Sequence, residues 1–248
     1  TWREAFWVLA VMTLLVSAFI HFSVKKDFTP KTTRLSDMCA EVGRLYQSSL
    51  FWRLALYSIF ANATYMAVLA LWMAPWLQDV GGLNEADMAN ALLLGTVGMV
   101  LGSLGFGWLT DYVRKFHIRP LTVCGGGIAL FVLFQLMMLG NVPVSPYLIT
   151  LGFSFFGTAS TMNYAIVAQS VEPSLAGRVS ASFNLLIFLL AFFIQWFVGL
   201  VIGLWPAMDG RHPLESYQWS FGGLIVLQVL GLLAWLSFKP WALELNRS

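Results

Sequence analysis

The sequence predicts an all-α integral membrane protein, and three observations predict it. Only 10% of the 248 residues are charged, whereas 58% are apolar and 15% aromatic; an average soluble domain has about a quarter of its residues charged. Seven apolar runs reach the roughly 20 residues with which a helix crosses a hydrocarbon core of about 30 Å. Twelve of the fourteen Lys and Arg residues fall on alternate connectors between those runs, as one topology under the positive-inside rule requires.

The runs lie at 4–24, 54–78, 88–110, 118–140, 146–170, 179–204 and 218–238. The connector after the first carries Lys25, Lys26, Lys31, Arg34, Arg44 and Arg53. Within it, Leu35, Met38, Val42, Leu45 and Tyr46 recur at helical spacing, which predicts a short amphipathic helix at the membrane interface or against the ends of the bundle. Arg114, Lys115 and Arg119 follow the third run, Arg178 the fifth, and Lys239 and Arg247 the seventh, while the opposite side holds Arg3 and Arg211. The rule therefore assigns 25–53, 111–119, 171–178 and the C-terminus to the cytoplasm. That topology puts Thr1 outside with neither a start methionine nor a basic segment before the first apolar run. The expectation is a fragment whose earlier spans lie upstream. Cys39 and Cys124 form no disulfide framework and are expected to be reduced.

The later connectors are short, which makes successive spans antiparallel neighbours. The last six spans divide three plus three at "NVPVSP", and the middle helix of each group is rich in small residues. Gly95, Gly98, Gly102 and Gly105 occupy one, and Ala181, Ser182, Ala191, Gly199 and Gly203 the other. Such weak symmetry predicts an inverted repeat. The first four glycines, at i, i+3, i+7 and i+10, predict a face that a neighbouring backbone can approach closely.

At the end of that helix stands "GWLTDYVRK", in which Gly107 precedes Asp111 by four positions and Arg114 and Lys115 follow. The stretch resembles the loop signature of the major facilitator superfamily. "EPSLAGR", Glu172 to Arg178, resembles the acid-then-arginine pattern that the same family places three membrane passages later. The resemblance extends over the whole chain. Residues 1–24 resemble the family's sixth helix, 25–50 its central cytoplasmic linker, and 51–248 its C-terminal six-helix domain, with the last six helices as a 3+3 inverted repeat. It implies a secondary active transporter that moves a small organic solute across the plasma (inner) membrane by alternating access, with its C-terminus cytoplasmic and a missing N-terminal half as partner. Coupling to a proton or another ion stays open.

The resemblance also implies a cytoplasmic gate of Gly107, Asp111, Arg114, Lys115, Glu172 and Arg178. Asp111 would contact a helix of the other half when the cytoplasmic side is closed, Arg114 or Lys115 would pair with Glu172, and Arg178 would face the equivalent Asp of that half. The chemistry is reasonable in itself, because a carboxylate at a membrane boundary is costly unless paired and a helix N-terminus offers free N–H groups. Such contacts contribute from a few tenths to about 2 kcal/mol, enough to bias two conformations and still break on each cycle. The alternative is that these charges only set topology.

No Asp, Glu, Lys or Arg lies deep in any run, so the polar positions are amides, hydroxyls and phenols. Asn62 and Tyr65 are three apart, with Trp72 and Trp76 continuing that side. Ser154, Thr158 and Thr161 form a stripe at i, i+4 and i+7 with Asn163 and Tyr164 beside it, and Asn184 and Gln195, eleven apart, share a face. Singly, each is ordinary interhelical glue. The resemblance implies that the second, fifth and sixth spans line a cavity, which makes Asn62, Tyr65, Trp72, Ser154, Thr158, Thr161, Asn163, Asn184 and Gln195 candidates to hold a neutral, zwitterionic or amphipathic solute. Gln135 and Gln228 are assigned to packing. No hydrolase, P-loop or zinc motif occurs, and "GGG" at 125–127 opens a membrane helix, so neither an enzyme nor a cofactor, metal or nucleic-acid partner is expected. A rival of another class is a multipass scaffold or receptor subunit that transports nothing.

Overall fold

The computed structural model describes residues 2–23, 43, 46–47, 49–140, 142–169 and 173–237. Most of the expected linker helix, Cys39, Glu172, Lys239 and Arg247 lie outside them. The chain divides into two units, Thr1–Ala40 and Glu41–Ser248. The first holds α1, Trp2–Ser23, with Glu4 in its first turn and His21 in its last, each on the side that the helix dipole favours.

The second unit is a helical bundle. Helix α2, Ser49–Ala67, runs through a π-helical turn at Val68–Trp72 into α3, Met73–Asp79. Pro75 explains the wide turn: it has no N–H, and its ring collides with the carbonyl four residues earlier, at Leu71. Helix α4, Glu85–Arg114, starts at Asn84, whose side chain accepts from the Asp87 N–H (2.9 Å) and donates to the Asp87 carboxylate (2.8 Å). Its 30 residues span about 45 Å at 1.5 Å per residue, more than a bilayer core of about 30 Å. The helix therefore tilts or carries an end, with its charges, out into water. Helix α5, Pro120–Leu139, and α6, Pro146–Gly157, both begin on proline, where the missing N–H has no helical partner to lose. Helix α6 gives way to a 3₁₀ turn, Thr158–Met162, and then α7, Asn163–Gln169. Helices α8, Pro173–Ile202, and α9, Leu214–Ser237, close the bundle. Their connector turns at Asp209 and Gly210, both with positive φ (51° and 76°), between the bridged residues Met208 and Arg211.

Among the described residues, six stretches are helical, long and apolar enough to cross a membrane: Arg3–Ser23, Ala55–Asp79, Glu85–Arg114, Pro120–Leu139, Ala176–Ile202 and Leu214–Ala234. The run expected at 146–170 is helical too, but the 3₁₀ turn divides it into pieces too short to span alone.

The packing follows from small residues. Helix α4 lies along α6, because its glycine face lets the backbones meet. A Cβ on Gly95 would come 2.9 Å from Thr150 Cγ2, one on Gly98 2.7 Å from the Leu151 carbonyl, and one on Gly102 would run into the Phe155 carbonyl. Helix α2 packs on α8 and α9, and α5 on α6 and α9. At the centre, Phe131 and Phe153 sit 4.8 Å apart between ring centroids, and Tyr65 is 6.0 Å from each.

Candidate functional site

Most of the buried polar residues among those described lie on the two interrupted spans. Tyr65 lies three residues before the π turn, and Gly157 is the last residue before the 3₁₀ turn. The Tyr65 ring occupies the space that a Cβ on Gly157 would need. The two spans thus cross beside both of their irregular turns.

Three buried polar atoms at this crossing and along its two helices have no hydrogen-bond partner: Asn62 Nδ2, Tyr65 Oη and Ser154 Oγ. A buried group left in this state costs about 1–3 kcal/mol, and hydrocarbon offers it no water. Toward the end of α2 that follows the linker the interior is satisfied instead. Tyr57 Oη donates to Asn163 Oδ1 (2.8 Å) and stands 3.4 Å from Cys124 Sγ, whose thiol is directed to the Ala159 carbonyl at 3.0 Å. Cys124 is a buried free thiol.

The expected stripe of Ser154, Thr158 and Thr161 does not survive as one face. Ser154 and Thr158 are buried and Thr161 is exposed, because the α register ends at Gly157 and the 3₁₀ turn winds three residues per turn. Its hydroxyls turn back on their own backbone: Thr158 Oγ1 donates to the Phe155 carbonyl (2.6 Å), Ser160 Oγ to Gly157 (2.7 Å) and Thr161 Oγ1 to Thr158 (2.7 Å). Trp72 and Trp76 also part company across the π turn. Trp72 Nε1 donates to the Gln195 carbonyl of α8 (3.3 Å), its indole lying on Gly199, while Trp76 Nε1 donates to Met138 of α5 (3.2 Å). Asn184 is exposed on α8 and accepts from Tyr164 Oη (2.8 Å), and Gln195 is half-buried.

At the far end of α4, Gly107, Asp111, Arg114 and Lys115 are all exposed, and Arg178 is half-buried near the start of α8. The Lys115 ammonium lies 5.7 Å above the Tyr112 ring, which stacks on Trp108 at 5.2 Å. No group of three His, Cys, Asp or Glu side chains among the described residues is placed to hold a metal ion.

The sequence profile of the Major Facilitator Superfamily matches residues 1–195. The chain belongs to that superfamily. It is also 24% identical over 184 residues to the uncharacterized MFS-type transporter YbcL of Bacillus subtilis (strain 168), an alignment that covers 71% of this chain and 43% of that protein. The chain thus spans less than half the length of this relative. With its several long apolar helices, this superfamily member is a multi-pass membrane protein of a transporter family.

Three polar features of this transporter-family chain escaped the sequence reading. Asp79, at the end of α3, accepts from Tyr217 Oη (2.7 Å) and the His212 N–H (3.2 Å), and Asp87 accepts from Tyr147 Oη (3.1 Å). Asp79 closes α3 and Asp87 lies in the first turn of α4, and their partners are distant in sequence. Gln135 and Gln228, read as separate packing residues, exchange a reciprocal pair of 2.9 Å amide hydrogen bonds between α5 and α9.

Proposed function

We propose that the chain is the C-terminal six-helix half, with the preceding helix, of a secondary transporter that moves a small organic solute by alternating access. The observation that carries this reading is the pair of interrupted spans crossing at Tyr65 and Gly157, flanked by the unpartnered polar atoms of Asn62, Tyr65 and Ser154. Discontinuous membrane helices at mid-depth are where transporter folds bind their cargo, and unsatisfied polar atoms mark where hydrogen bonds remain to be made. The solute completes this set together with groups from a second half of the protein. Trp72, Thr158, Thr161, Asn163, Asn184 and Gln195 remain candidates as lining.

The packing supports a 3+3 inverted repeat. Exchanging α2–α3 with α6–α7, α4 with α8, and α5 with α9 converts the α4–α6 contact into α8–α2 and the α9–α2 contact into α5–α6, and leaves α5–α9 in place. The two irregular turns exchange as well. Asp111, Arg114, Lys115 and Arg178, exposed or half-buried at one end, are proposed to latch the two halves on the cytoplasmic side, with Glu172 as a further member. The basic loops favour a cytoplasmic C-terminus in the plasma membrane.

A panel of small organic solutes, screened by thermal shift on the full-length protein, tests the reading. A true cargo at a hundred times its Kd stabilises the folded state by about 2.7 kcal/mol. The same solute should give a smaller shift with Tyr65→Phe and Asn62→Leu. A scaffold predicts that no solute shifts the unmodified protein, or that the shift survives both substitutions.

A further inference from the structure

A cleft between α4 and α5, floored by α6, lies outside the proposed transport path. It encloses about 490 Å³ and is walled by α4 from Gly105 to Val113 and by α5 from Thr122 to Leu130, with Phe155 and Phe156 beneath. Eight positions on each helix correspond to about 12 Å of depth, close to one leaflet of a core about 30 Å thick. An extended hydrocarbon chain fits. Beyond Phe155 and Phe156 a second apolar cavity of about 540 Å³ continues toward Leu148.

The segment that leaves α4 past the cleft wall is basic, and the Lys115 ammonium lies over the Tyr112 ring, which stacks on the cleft residue Trp108. Arg114, Lys115 and Arg119 follow Val113 within six residues, with His117 between them and Asp111 as the nearby carboxylate. Trp108 and Tyr112 stack beside it, Trp108 being 66% exposed, as aromatic residues do at the headgroup level. We propose that this cleft binds one anionic phospholipid, with acyl chain in the apolar trench against Phe155 and Phe156 and phosphate beside Arg114 and Lys115. Basic pockets between membrane helices draw anionic headgroups, and two such bases favour them over zwitterionic ones about thirtyfold. The inference does not rest on transport, although Arg114 and Lys115 are also members of the proposed latch.

The test is quenching of Trp108 by brominated lipids. The protein is reconstituted in phosphatidylcholine vesicles containing brominated-chain phosphatidylglycerol or, separately, brominated-chain phosphatidylcholine, and the quenching lost in Trp108→Phe isolates the signal of that residue. Half-saturation is expected at about thirtyfold less phosphatidylglycerol than phosphatidylcholine. Arg114→Gln with Lys115→Gln should abolish the difference while leaving the residual quenching. Gly126→Leu should reduce quenching by both lipids, since a side chain at Gly126 enters open space on the cleft wall and displaces the chain without disturbing a neighbour. Equal half-saturation for the two lipids, a preference that outlives the charge substitutions, or a Trp108 signal indifferent to Gly126→Leu would each overturn the proposal. The charge and cleft variants are independent, so failure of one to fold leaves the other decisive.

Discussion

The Gln135–Gln228 pair offers a sharp test of how this bundle is held. The two side chains are 2% and 0% exposed and exchange two hydrogen bonds of 2.9 Å. They are not equivalent, however. Gln228 Nε2 also donates to the Leu224 carbonyl at 3.2 Å, a contact that persists when Gln135 is removed. Gln135→Leu therefore strands mainly the Gln228 oxygen, and at about 1–3 kcal/mol per stranded buried group it should cost roughly 1–2 kcal/mol. Gln228→Leu strands both ends of the Gln135 amide and should cost more, roughly 2–4 kcal/mol. Replacing both with leucine removes every unpaired group and should return stability to within about 1 kcal/mol of the unmodified protein. The coupling energy, the two single losses less that of the double variant, is then roughly 2–6 kcal/mol, more than two membrane hydrogen bonds at about 0.6 kcal/mol each. Equilibrium unfolding of the four proteins in mixed detergent micelles of increasing dodecyl sulfate content measures it. Two single substitutions that simply add, within about 0.5 kcal/mol, would refute the reasoning, and a larger loss for Gln135→Leu than for Gln228→Leu would refute the asymmetry.

Two further outcomes are expected. Gly102→Ala should lower the melting temperature relative to Gly222→Ala, because its methyl group meets the Phe155 carbonyl and, at 2.5 Å, Thr158 Oγ1, whereas a methyl at Gly222 meets nothing within 4 Å; overpacking of about 1–3 kcal/mol outweighs the ~0.5–1 kcal/mol that alanine gains in a helix, and an equal or higher melting temperature for Gly102→Ala would contradict the tight α4–α6 contact. Asp111→Asn in the full-length protein should slow or abolish solute uptake into vesicles while membrane insertion and melting are retained, since the side chain is exposed and supports no packing; unchanged uptake would dispose of the latch.

Those features that depend on period were legible in the sequence, and those that depend on distant partners were not. The glycines of α4 announced their face by spacing alone, and Gly95, Gly98 and Gly102 meet α6 through it. Six of the apolar runs correspond to helices long enough to cross a membrane, and the run at 146–170 is divided at Thr158–Met162. By contrast, Tyr57 and Asn163 are separated by 106 positions and Tyr217 and Asp79 by 138, and no local pattern couples such residues. The hydroxyl stripe failed for a different reason. Its spacing assumed one continuous α-helix, and the hydroxyls themselves helped to end that helix by bonding back to Phe155, Gly157 and Thr158.

The two interruptions arise from unlike chemistry and still share a place. Pro75 forces the first by removing a donor and crowding the Leu71 carbonyl, and the helix widens over the preceding turn. The second contains no proline; "TASTM" tightens through side-chain bonds to its own backbone. What joins them is Gly157, where the absent Cβ admits the Tyr65 ring. A larger residue there would push the spans apart at the point where each ladder of backbone hydrogen bonds is already irregular. At Tyr65 and Gly157 the crossing is therefore held by ring packing and shape rather than by ladder or charge, while the Tyr57–Asn163 hydrogen bond ties the same two spans nearer one end. On the alternating-access reading proposed above, the unpaired polar atoms of Asn62, Tyr65 and Ser154 have a reason, since bonding them to one another or to the backbone would hold the crossing in a single arrangement.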